Sequence, residues 1–446
     1  MPFISNTDKE RKEMLAAIGV EKFEDLLTNI PKKFLLKEDC CLDEPHSELE
    51  ITRKISELAA KNISTTKANS FLGGGIYDHF IPAAVDHIIL RPEFHSAYTP
   101  YQAEVSQGTL QYIYEYQTMI CELTGMEISN AGMYDGASAA AEAILMATRK
   151  TKNFKAVIAG TLNPNYLEVI KSYTEGVGIE NVIIPVKDGL VDLDALKEAI
   201  DDNTGCVLLQ TPNFFGNIED AFTIEEITHS SKKALFIACV DPISLAVLNS
   251  PAEYKADIVV GEGQALGNSQ NFGGPLFGFL ASSIKLGRSM PGRIVGATLD
   301  ADGKKAYCLT LQAREQHIRR AKATSNICSN DALCNLAATV YMTLMGKEGL
   351  KEVAVQSTTK AHYLADEINK LDSFSIAFDA AFFKEFAVKT PVPAKEIISR
   401  LKEKNIFPGI DLKQFGYDNM LLIAVTEKKR KCDLDELISS LKELSR

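Results

Sequence analysis

The sequence predicts an α/β fold in which helices cover a mostly parallel sheet. From about Lys155 onward, short apolar runs rich in β-branched residues alternate with helical patterns. The runs read KAVIAGT, NVIIPVK, CVLLQTPN, ALFIACVDP and ADIVVGEG, and helical patterns separate the first four of them. Strict alternation of this kind is typical of right-handed βαβ units, which build parallel sheets.

The first 66 residues predict a helical arm. Residues 1–66 contain two capping-box patterns, T-x-x-E at Thr7 and S-x-x-E at Ser47, each ahead of a helical pattern. The second pattern places three apolar residues on one helix face: Ile51, Ile55 and Leu58. Because short helices seldom fold alone, we expect the arm to pack on another body, and one possibility is a neighbouring subunit, where the arm would serve assembly. The alternative is that it closes on its own domain.

The rest of the chain divides by pattern into two regions. Residues 67–329 contain the alternating strands and helices, which predicts a large domain. After Ser329 the pattern changes to longer helices around the apolar runs FAVKT and MLLIAVTE, which predicts a smaller α/β domain at residues 330–446. No low-complexity or Ser/Gly-rich linker separates the two regions, so we expect one rigid body with a cleft between them.

Composition and charge argue against several classes of partner. The chain has 446 residues, of which 46% are hydrophobic and 24% charged, as in ordinary soluble proteins. Its formal net charge of −11 argues against a nucleic-acid partner, which would call for clustered excess Lys and Arg. No apolar run is long enough to span a membrane and no signal peptide is recognisable, so we expect a cytoplasmic protein without a membrane partner.

The cysteine and histidine patterns predict no metal site. The nine cysteines include no CxxC pair, which is typical of reduced, mostly buried thiols in a cytosolic protein. His79, His87 and His95 recur every eight residues, so no two of them lie one helical turn apart. We therefore interpret these histidines as structural.

The segment YTPYQAEVSQG, residues 98–108, is the most distinctive polar motif. A turn at Pro100 presents two phenols, an amide and a carboxylate before a helix starts at Ser106 or Gln107. We interpret this loop as one wall of a small polar ligand site. Tyrosines packed under a loop, with their hydroxyls bonded to backbone, are the alternative. The candidate catalytic residues here are Tyr98, Tyr101, Gln102 and Glu104.

A second polar cluster occupies residues 314–322. Because guanidinium groups bind carboxylates and phosphates in fixed geometry, this cluster suits an anionic ligand or the acidic residues of a partner. Internal ion pairs that join the two domains are the alternative. The candidate catalytic residues here are Arg314, His317 and Arg319.

These motifs resemble the P-protein family of the glycine cleavage system. The family shares the YTPYQxExSQG signature and the sequence motifs REQHIRR and ATSNIC, and the similarity runs over nearly the whole chain. The resemblance implies the fold of fold-type I pyridoxal-phosphate transferases, to which aspartate aminotransferase belongs. In that fold, a large domain with a mostly parallel sheet precedes a smaller C-terminal α/β domain.

The lysine of the family's catalytic half is missing from this chain. Residues 257–281, DIVVGEGQALGNSQNFGGPLFGFLA, contain no lysine, whereas the catalytic half carries its Schiff-base lysine in a segment of this kind. The resemblance therefore implies that pyridoxal phosphate is held covalently by a lysine-bearing partner subunit and not by this chain. An autonomous pyridoxal-phosphate enzyme that uses Lys255 or Lys285 is the alternative.

Residues near two predicted strand ends are weak candidates for cofactor contact. Residues 135–138 open an alanine-rich helix, and in fold-type I enzymes the comparable turn offers amides to the cofactor phosphate. An aspartate at the helix start also fits an N-cap, and its charge would discourage a phosphate. A second aspartate follows an apolar strand where the family fold places a carboxylate on the pyridine nitrogen. The four weak candidates are Asp135, Gly136, Ser138 and Asp241.

The resemblance implies glycine decarboxylation at an interface between two homologous halves, two copies of each forming a heterotetramer. Glycine forms an aldimine with pyridoxal phosphate, CO₂ leaves, and the aminomethyl group passes to the lipoyl arm of H-protein. The candidate residues of this chain would orient glycine and bind an anionic group. A purely structural pseudoenzyme that stabilises the catalytic partner is the alternative. The spacing of Gly261, Gly263 and Gly267 argues against a dinucleotide-binding oxidoreductase.

Overall fold

The chain forms two compact units, residues 1–63 and residues 64–446. The computed structural model describes residues 5–36, 42, 45–95, 97–270 and 275–444. The boundary between the units falls close to the predicted end of the arm at residue 66. Residues 271–274, part of the lysine-free segment, lie outside the described residues.

The first unit contains two helices, α1 (Asp8–Ile18) and α2 (Glu48–Ala59), with 3₁₀ segments at Phe23–Leu26 and Lys32–Phe34. Both predicted capping boxes are confirmed, because Thr7 and Ser47 each exchange hydrogen bonds with the glutamate three residues later. The apolar side chains predicted to share one face of α2 are exposed. The role of this unit in assembly stays a prediction.

The second unit contains the remaining helices and all the strands of the described residues. Its strands are β1 (Asn69–Ser70), β2 (Ile128–Ser129), β3 (Lys155–Ala159), β4 (Glu180–Ile184), β5 (Val186–Lys187), β6 (Leu190–Val191), β7 (Thr204–Gln210), β8 (Leu235–Cys239), β9 (Ile258–Glu262), β10 (Gly278–Ser282), β11 (Ile294–Leu299), β12 (Lys305–Thr310), β13 (Ser375–Ile376), β14 (Glu385–Lys389), β15 (Ile406–Phe407), β16 (Ile410–Asp411) and β17 (Met420–Ala424). Its helices are α3 (Ala83–Ile89), α4 (Gln107–Thr124), α5 (Gly136–Thr151), α6 (Pro164–Glu175), α7 (Leu193–Ala199), α8 (Ala221–Ser230), α9 (Gln316–Arg319), α10 (Ala332–Ile368), α11 (Ala394–Lys402) and α12 (Lys431–Leu444).

A seven-stranded sheet with the order β2-β10-β9-β8-β7-β3-β4 forms the centre of this unit. Strands β4, β3, β7, β8 and β9 are parallel, whereas β10 is antiparallel to both β9 and β2. The predicted α/β fold with a mostly parallel sheet is therefore confirmed. Strand β7 reads as an almost continuous apolar run because helices cover both faces of a parallel sheet.

Neighbouring residues of each central strand face opposite layers of the core. In β3, Val157 packs in a cluster with α8 and the first half of α10, while Ile158 packs in a cluster with α5. Helix α5 contributes mainly alanines to that second cluster. Such small side chains let the helix axis approach the sheet closely, which brings the start of α5 next to the carboxyl end of β9.

A second, four-stranded antiparallel sheet with the order β13-β14-β17-β16 lies in the C-terminal region. Its core joins α11 and α12 with the second half of α10. Helix α10 changes direction at Gly346, where φ is 57°, and it contributes Tyr341 to the large core and Leu364 to the small one. The predicted small domain at residues 330–446 therefore has its own sheet within the second compact unit.

Gly216 lies against the backbone of the four-stranded sheet, and we predict that alanine is not tolerated there. Gly216 has φ +84°, and an added Cβ would clash with the carbonyl oxygen of Glu385. Gly178 has a similar φ of +72° with nothing within 4 Å of an added Cβ. Gly216→Ala should therefore destabilise the chain by about 1–3 kcal/mol more than Gly178→Ala in urea denaturation. Equal losses would show that backbone conformation alone decides the cost.

His229 links α8 to the start of β9, and we predict that it makes stability depend on pH. The hydrogen bond to Asp257, aided by one to Glu225, raises the pKa of His229 from 6.5 to about 9. A raised histidine pKa contributes stability that is complete below pH 6.5 and is lost as pH rises through 9. Between these pH values the free energy of unfolding should fall more steeply for the wild type than for His229→Gln. Parallel pH profiles would contradict this assignment.

Candidate functional site

The signature loop, residues 98–108, is held at one end by Gln107. This side chain donates to the carbonyl oxygen of Tyr307 (2.9 Å) and accepts from the Tyr307 amide (2.9 Å), so it pairs with the backbone of β12. Helix α4 begins at Gln107 with Ser106 as its N-cap, as the sequence predicts. The loop ahead of that helix is thereby fixed where it enters the fold.

Arg293 places the ring of Tyr101. Its Nη2 donates to the Tyr101 hydroxyl (2.7 Å), and its guanidinium carbon lies 5.1 Å from the ring centroid. Arg293 is only 3% exposed and immediately precedes β11, after a turn at Gly292. Sequence reasoning missed this residue, although an arginine directly after a Pro-Gly turn and ahead of a strand was a usable signal.

Glu315 joins Arg293 to His317. Its Oε2 lies 3.7 Å from Arg293 Nε and 3.5 Å from His317 Nδ1, and the Glu315 side chain is buried. The rings of Tyr101 and His317 meet edge to face, with centroids 5.9 Å apart. We call the following residues the tyrosine–arginine cluster: Tyr101, Arg293, Arg314, Glu315 and His317.

Several polar atoms of this cluster have no hydrogen-bond partner among the described residues. They are Nε and Nη1 of Arg293, Nε and Nη2 of Arg314, and Oε1 of Glu315. Arg314 uses Nη1 to bond the Met290 carbonyl oxygen, and burial lowers the pKa of Arg314 although Glu315 opposes that effect. A buried N–H group without an acceptor costs about 1–3 kcal/mol. Arg293 pairs with Glu315, whereas no ion pair of Arg314 occurs among the described residues, so the two buried guanidinium groups leave excess positive charge that suits a carboxylate ligand.

The structure brings together only part of the predicted site. The rings of Tyr101 and His317 are in contact, and Glu315 connects His317 to Arg293. Arg319 donates from Nε to the Ala313 carbonyl oxygen (3.1 Å) and is otherwise exposed. The remaining predicted residues of the signature loop are exposed: Tyr98, Gln102 and Glu104. Their roles stay predictions.

A separate internal pocket lies at the carboxyl ends of β8 and β9, where ligands bind in open α/β sheets. About 40 Å³ of it is open to water-sized molecules. Its lining includes Tyr77, Tyr166, Asp241, Glu262, Ala265 and Lys384. We call this space the strand-end pocket.

The weak cofactor candidates all lie at or near this pocket and are bonded internally. Asp241 accepts from the Ile243 amide (2.9 Å) and pairs with Lys384 Nζ (2.6 Å). Asp135 is the N-cap of α5, since its Oδ1 accepts from the Ser138 amide (2.7 Å). The Gly136 amide donates to Glu262 Oε2 (2.9 Å). The N-cap interpretation of Asp135 is thus confirmed.

Lys384 is the one lysine among the described residues that line the strand-end pocket. The two lysines considered as alternatives, Lys255 and Lys285, are exposed and do not line it. Sequence reasoning missed Lys384, which stands directly before β14 in the C-terminal region. An isolated lysine beside an apolar strand gave no signal of its burial.

The described part of the chain holds no group of three or more His, Cys, Asp or Glu side chains arranged to bind a metal ion. His79 is buried and pairs with Glu427 (2.6 Å), while His95 bonds the Ile89 carbonyl oxygen (2.9 Å). Among the helices of the described residues, none has both the length and the apolar character needed to cross a membrane.

Comparisons with known proteins identify close relatives. Residues 1–441 match the family model described as glycine cleavage system P-protein. The chain is 51% identical over 444 residues to the probable glycine dehydrogenase (decarboxylating) subunit 1 of Chloroherpeton thalassium, with 100% of both chains covered. It is also 51% identical over 444 residues to the protein of the same name from Carboxydothermus hydrogenoformans, with 99% of both covered.

Solved structures agree with the sequence relatives. A crystal structure of glycine decarboxylase (P-protein) of the glycine cleavage system, in inhibitor-bound form, superposes with a TM-score of 0.92 at 40% identity and 100% coverage of both chains. The glutamate decarboxylase of Lactobacillus brevis has a TM-score of 0.69 at 11% identity, covering 92% of this chain and 95% of that one. The structural neighbours are fold-type I pyridoxal-phosphate enzymes, so the predicted fold class is confirmed.

Within the tyrosine–arginine cluster, we predict that Arg293 and Glu315 are energetically coupled. Both side chains are at least nine-tenths buried, so removing one leaves the other charge poorly compensated. In a double-mutant cycle with Arg293→Met and Glu315→Gln, the double variant should lose about 1–3 kcal/mol less stability than the sum of the singles.

A cycle on an exposed pair provides the control for that measurement. Lys171 and Glu168 form an ion pair at 2.7 Å, with side chains 45% and 72% exposed. Lys171→Met with Glu168→Gln should show a coupling below about 0.5 kcal/mol in urea denaturation of the full chain. Additive losses at Arg293 and Glu315 would mean that the two charges are already neutralised by other groups.

Proposed function

Because the chain belongs to the glycine cleavage system P-protein family and matches subunit 1 of glycine dehydrogenase (decarboxylating), we propose that it is the subunit of glycine decarboxylase that carries no Schiff-base lysine. The subunit 1 name of the relatives implies a second subunit. The chain and this relative match over their full lengths, which supports the same division of the enzyme into two subunits. In this proposal the chain is active only in complex with that lysine-bearing partner.

The proposed reaction is the decarboxylation of glycine with transfer of the remaining carbon. The carboxylate leaves as CO₂, and the electron pair that it leaves behind bonds the aminomethyl carbon to one sulfur of the lipoyl disulfide of H-protein, whose second sulfur is released as a thiol. Pyridoxal phosphate, held covalently by the partner subunit, withdraws electrons from the reacting carbon. The proposed assembly contains two copies of each subunit and resides in the cytoplasm, without nucleic-acid or membrane partners.

The contribution of this chain is to orient the anionic substrate. The single observation that carries this proposal is the buried guanidinium of Arg293, which bonds Tyr101 and has two nitrogens, Nε and Nη1, without a hydrogen-bond partner in the described structure. A glycine carboxylate would satisfy such donors, and fixed donors hold a small substrate in one orientation. Arg314 adds a second buried charge of the same sign.

The exposed residues of the signature loop have a different proposed role. Tyr98 is 86% exposed, and Gln102 and Glu104 are also exposed. In the proposed complex they reach across the interface toward the site of the partner, as does Arg319. An exposed loop that is anchored by the bond from Tyr101 to the buried Arg293 can present these groups without losing its position.

Tyr101→Phe tests whether this chain shares in catalysis. Loss of the hydroxyl removes the bond from Arg293, and a hydrogen bond from a charged group contributes about 1.5–3 kcal/mol. Turnover of the assembled complex, measured as CO₂ released from carboxyl-labelled glycine with H-protein present, should fall about tenfold or more. Assembly, measured by gel filtration, should not change.

Tyr363→Phe provides a matched control. This variant also loses a hydroxyl bonded to charged groups, Asp435 and Lys431, but Tyr363 is partly buried against the core of the small domain and is not part of the cluster. This variant should keep full turnover. If Tyr101→Phe keeps it as well in an intact complex, the chain acts as a structural pseudoenzyme that only stabilises the catalytic subunit.

A further inference from the structure

A pyridoxal-phosphate cofactor in the strand-end pocket would need a partner for each of its two charges. A carboxylate such as Asp241 pairs with the cationic ring nitrogen, and a helix start such as that of α5 binds the anionic phosphate. In this chain, side chains of the protein itself bind at both ends. The residues present therefore do not fit the cofactor.

Lys384 binds at the ring-nitrogen end. Its side chain is 2% exposed, and its Nζ lies 2.6 Å from Asp241 Oδ2 and 3.8 Å from the ring centroid of Tyr77. The ammonium thus has an anion on one side and an aromatic face beside it, which is how a buried cation is stabilised. A pyridinium nitrogen that paired with Asp241 Oδ2 would have to displace this ammonium.

The contacts of Lys384 continue into a buried chain of hydrogen bonds. Its Nζ lies 2.9 Å from His79 Nε2, and His79 Nδ1 lies 2.6 Å from Glu427 Oε2. An ammonium only donates, so Nε2 accepts and Nδ1 carries the proton that His79 donates to Glu427. Burial, followed by the charge of Lys384, lowers the pKa of His79, which agrees with a neutral ring. We call Asp241, Lys384, His79 and Glu427 the ionic latch.

Glu262 binds at the phosphate end. One oxygen accepts from the Gly136 amide (2.9 Å) at the start of α5, and the other accepts from the Gln264 amide (3.0 Å). Asp135 uses the Ser138 amide, so two of the first amides of α5 already bond carboxylates of this chain. Burial raises the pKa of Glu262 to about 8, even though its backbone donors oppose that effect.

The space left between these groups is small. About 40 Å³ remains for the centres of water-sized molecules, so a few waters fit without any movement of the lining side chains. The neighbouring Glu385 closes a further side by accepting from the Gly74 amide (2.7 Å) and the Tyr77 hydroxyl (2.8 Å). Lys384 and Glu385, at the start of β14, therefore fill the side of the pocket next to the four-stranded sheet.

We propose that Lys384 and Glu262 occupy the positions of the cofactor's ring nitrogen and phosphate inside this chain, so that the strand-end pocket excludes pyridoxal phosphate and serves as a fastening between the two sheets. Asp241 follows β8 of the seven-stranded sheet, and Lys384 precedes β14 of the four-stranded sheet. The ionic latch thus crosses between the sheets at the point where a cofactor would otherwise lie.

Binding of pyridoxal phosphate to the full chain tests the exclusion. The wild type, Lys384→Ala, Glu262→Ala and the double variant are compared by equilibrium dialysis, and folding is checked by circular dichroism. The wild type should retain no stoichiometric cofactor, and the double variant should bind it at least tenfold more tightly. Lys428→Ala provides the control, since it removes a lysine from a more exposed ion pair with Asp78.

Borohydride reduction followed by peptide mass analysis shows whether retained cofactor is bound covalently to a lysine of this chain. A stoichiometric reduced adduct on Lys384 of the wild type would overturn the proposal, because Lys384 would then be a Schiff-base lysine. A folded double variant that binds no better than the wild type would overturn it as well. Both measurements use this chain without its partner, so they do not depend on the proposed function.

Hydrogen exchange tests whether the ionic latch holds the two sheets together. The variant used is one that removes the charge of Lys384 but keeps the volume of the pocket. Lys384→Met should speed amide exchange at least tenfold in the segments around Tyr77 and Glu385. Lys171→Met should leave the exchange in both segments within twofold of the wild type, since its ion pair with Glu168 is exposed and such pairs contribute little. Equal protection in Lys384→Met and the wild type would show that the ionic latch does not hold the sheets together.

Discussion

The ion pair between Lys384 and Asp241 constrains the arrangement of the second unit more than any other polar contact described above. Both groups are largely removed from water, and a buried charge without a partner is strongly destabilising. Asp241 therefore fixes the end of β8 relative to the start of β14, and His79 extends the constraint to Glu427. Gly216 acts at the same junction, because only a residue without a Cβ lets its loop approach the backbone of Glu385.

The tyrosine–arginine cluster contains residue types similar to those of the ionic latch, but its hydrogen bonds are incomplete. In the ionic latch each charged group finds an internal partner, so the network is complete. In the cluster, Arg293 and Arg314 keep N–H groups without acceptors in the described structure. Because such groups are costly to bury, an incomplete network is expected where a ligand or a partner completes it. This contrast separates the part of the fold that serves stability from the part that we propose serves catalysis.

Local features were predictable from the sequence, and long-range pairings were not. Strand and helix alternation predicted the parallel sheet, and short-range patterns predicted the caps at Thr7, Ser47 and Asp135, because these depend on neighbours within a few residues. Arg293 meets Tyr101 across 192 residues, and Lys384 meets His79 across 305. Nothing in the residues around Lys384 indicates burial, since only the crossing of two sheets places it against a carboxylate.

If this fold-type I chain carries no Schiff-base lysine, as we propose, its cofactor site presents a physical difficulty. Asp241 would be a buried charge without a partner, and the first amides of α5 would lack acceptors, so an empty pocket would cost stability at both ends. Lys384 and Glu262 remove both costs, one by supplying a cation and the other by supplying an acceptor. A subunit whose own pocket is closed in this way is rigid without a cofactor. It can therefore hold Tyr101 and Arg293 in place for a reaction whose cofactor we assign to the partner.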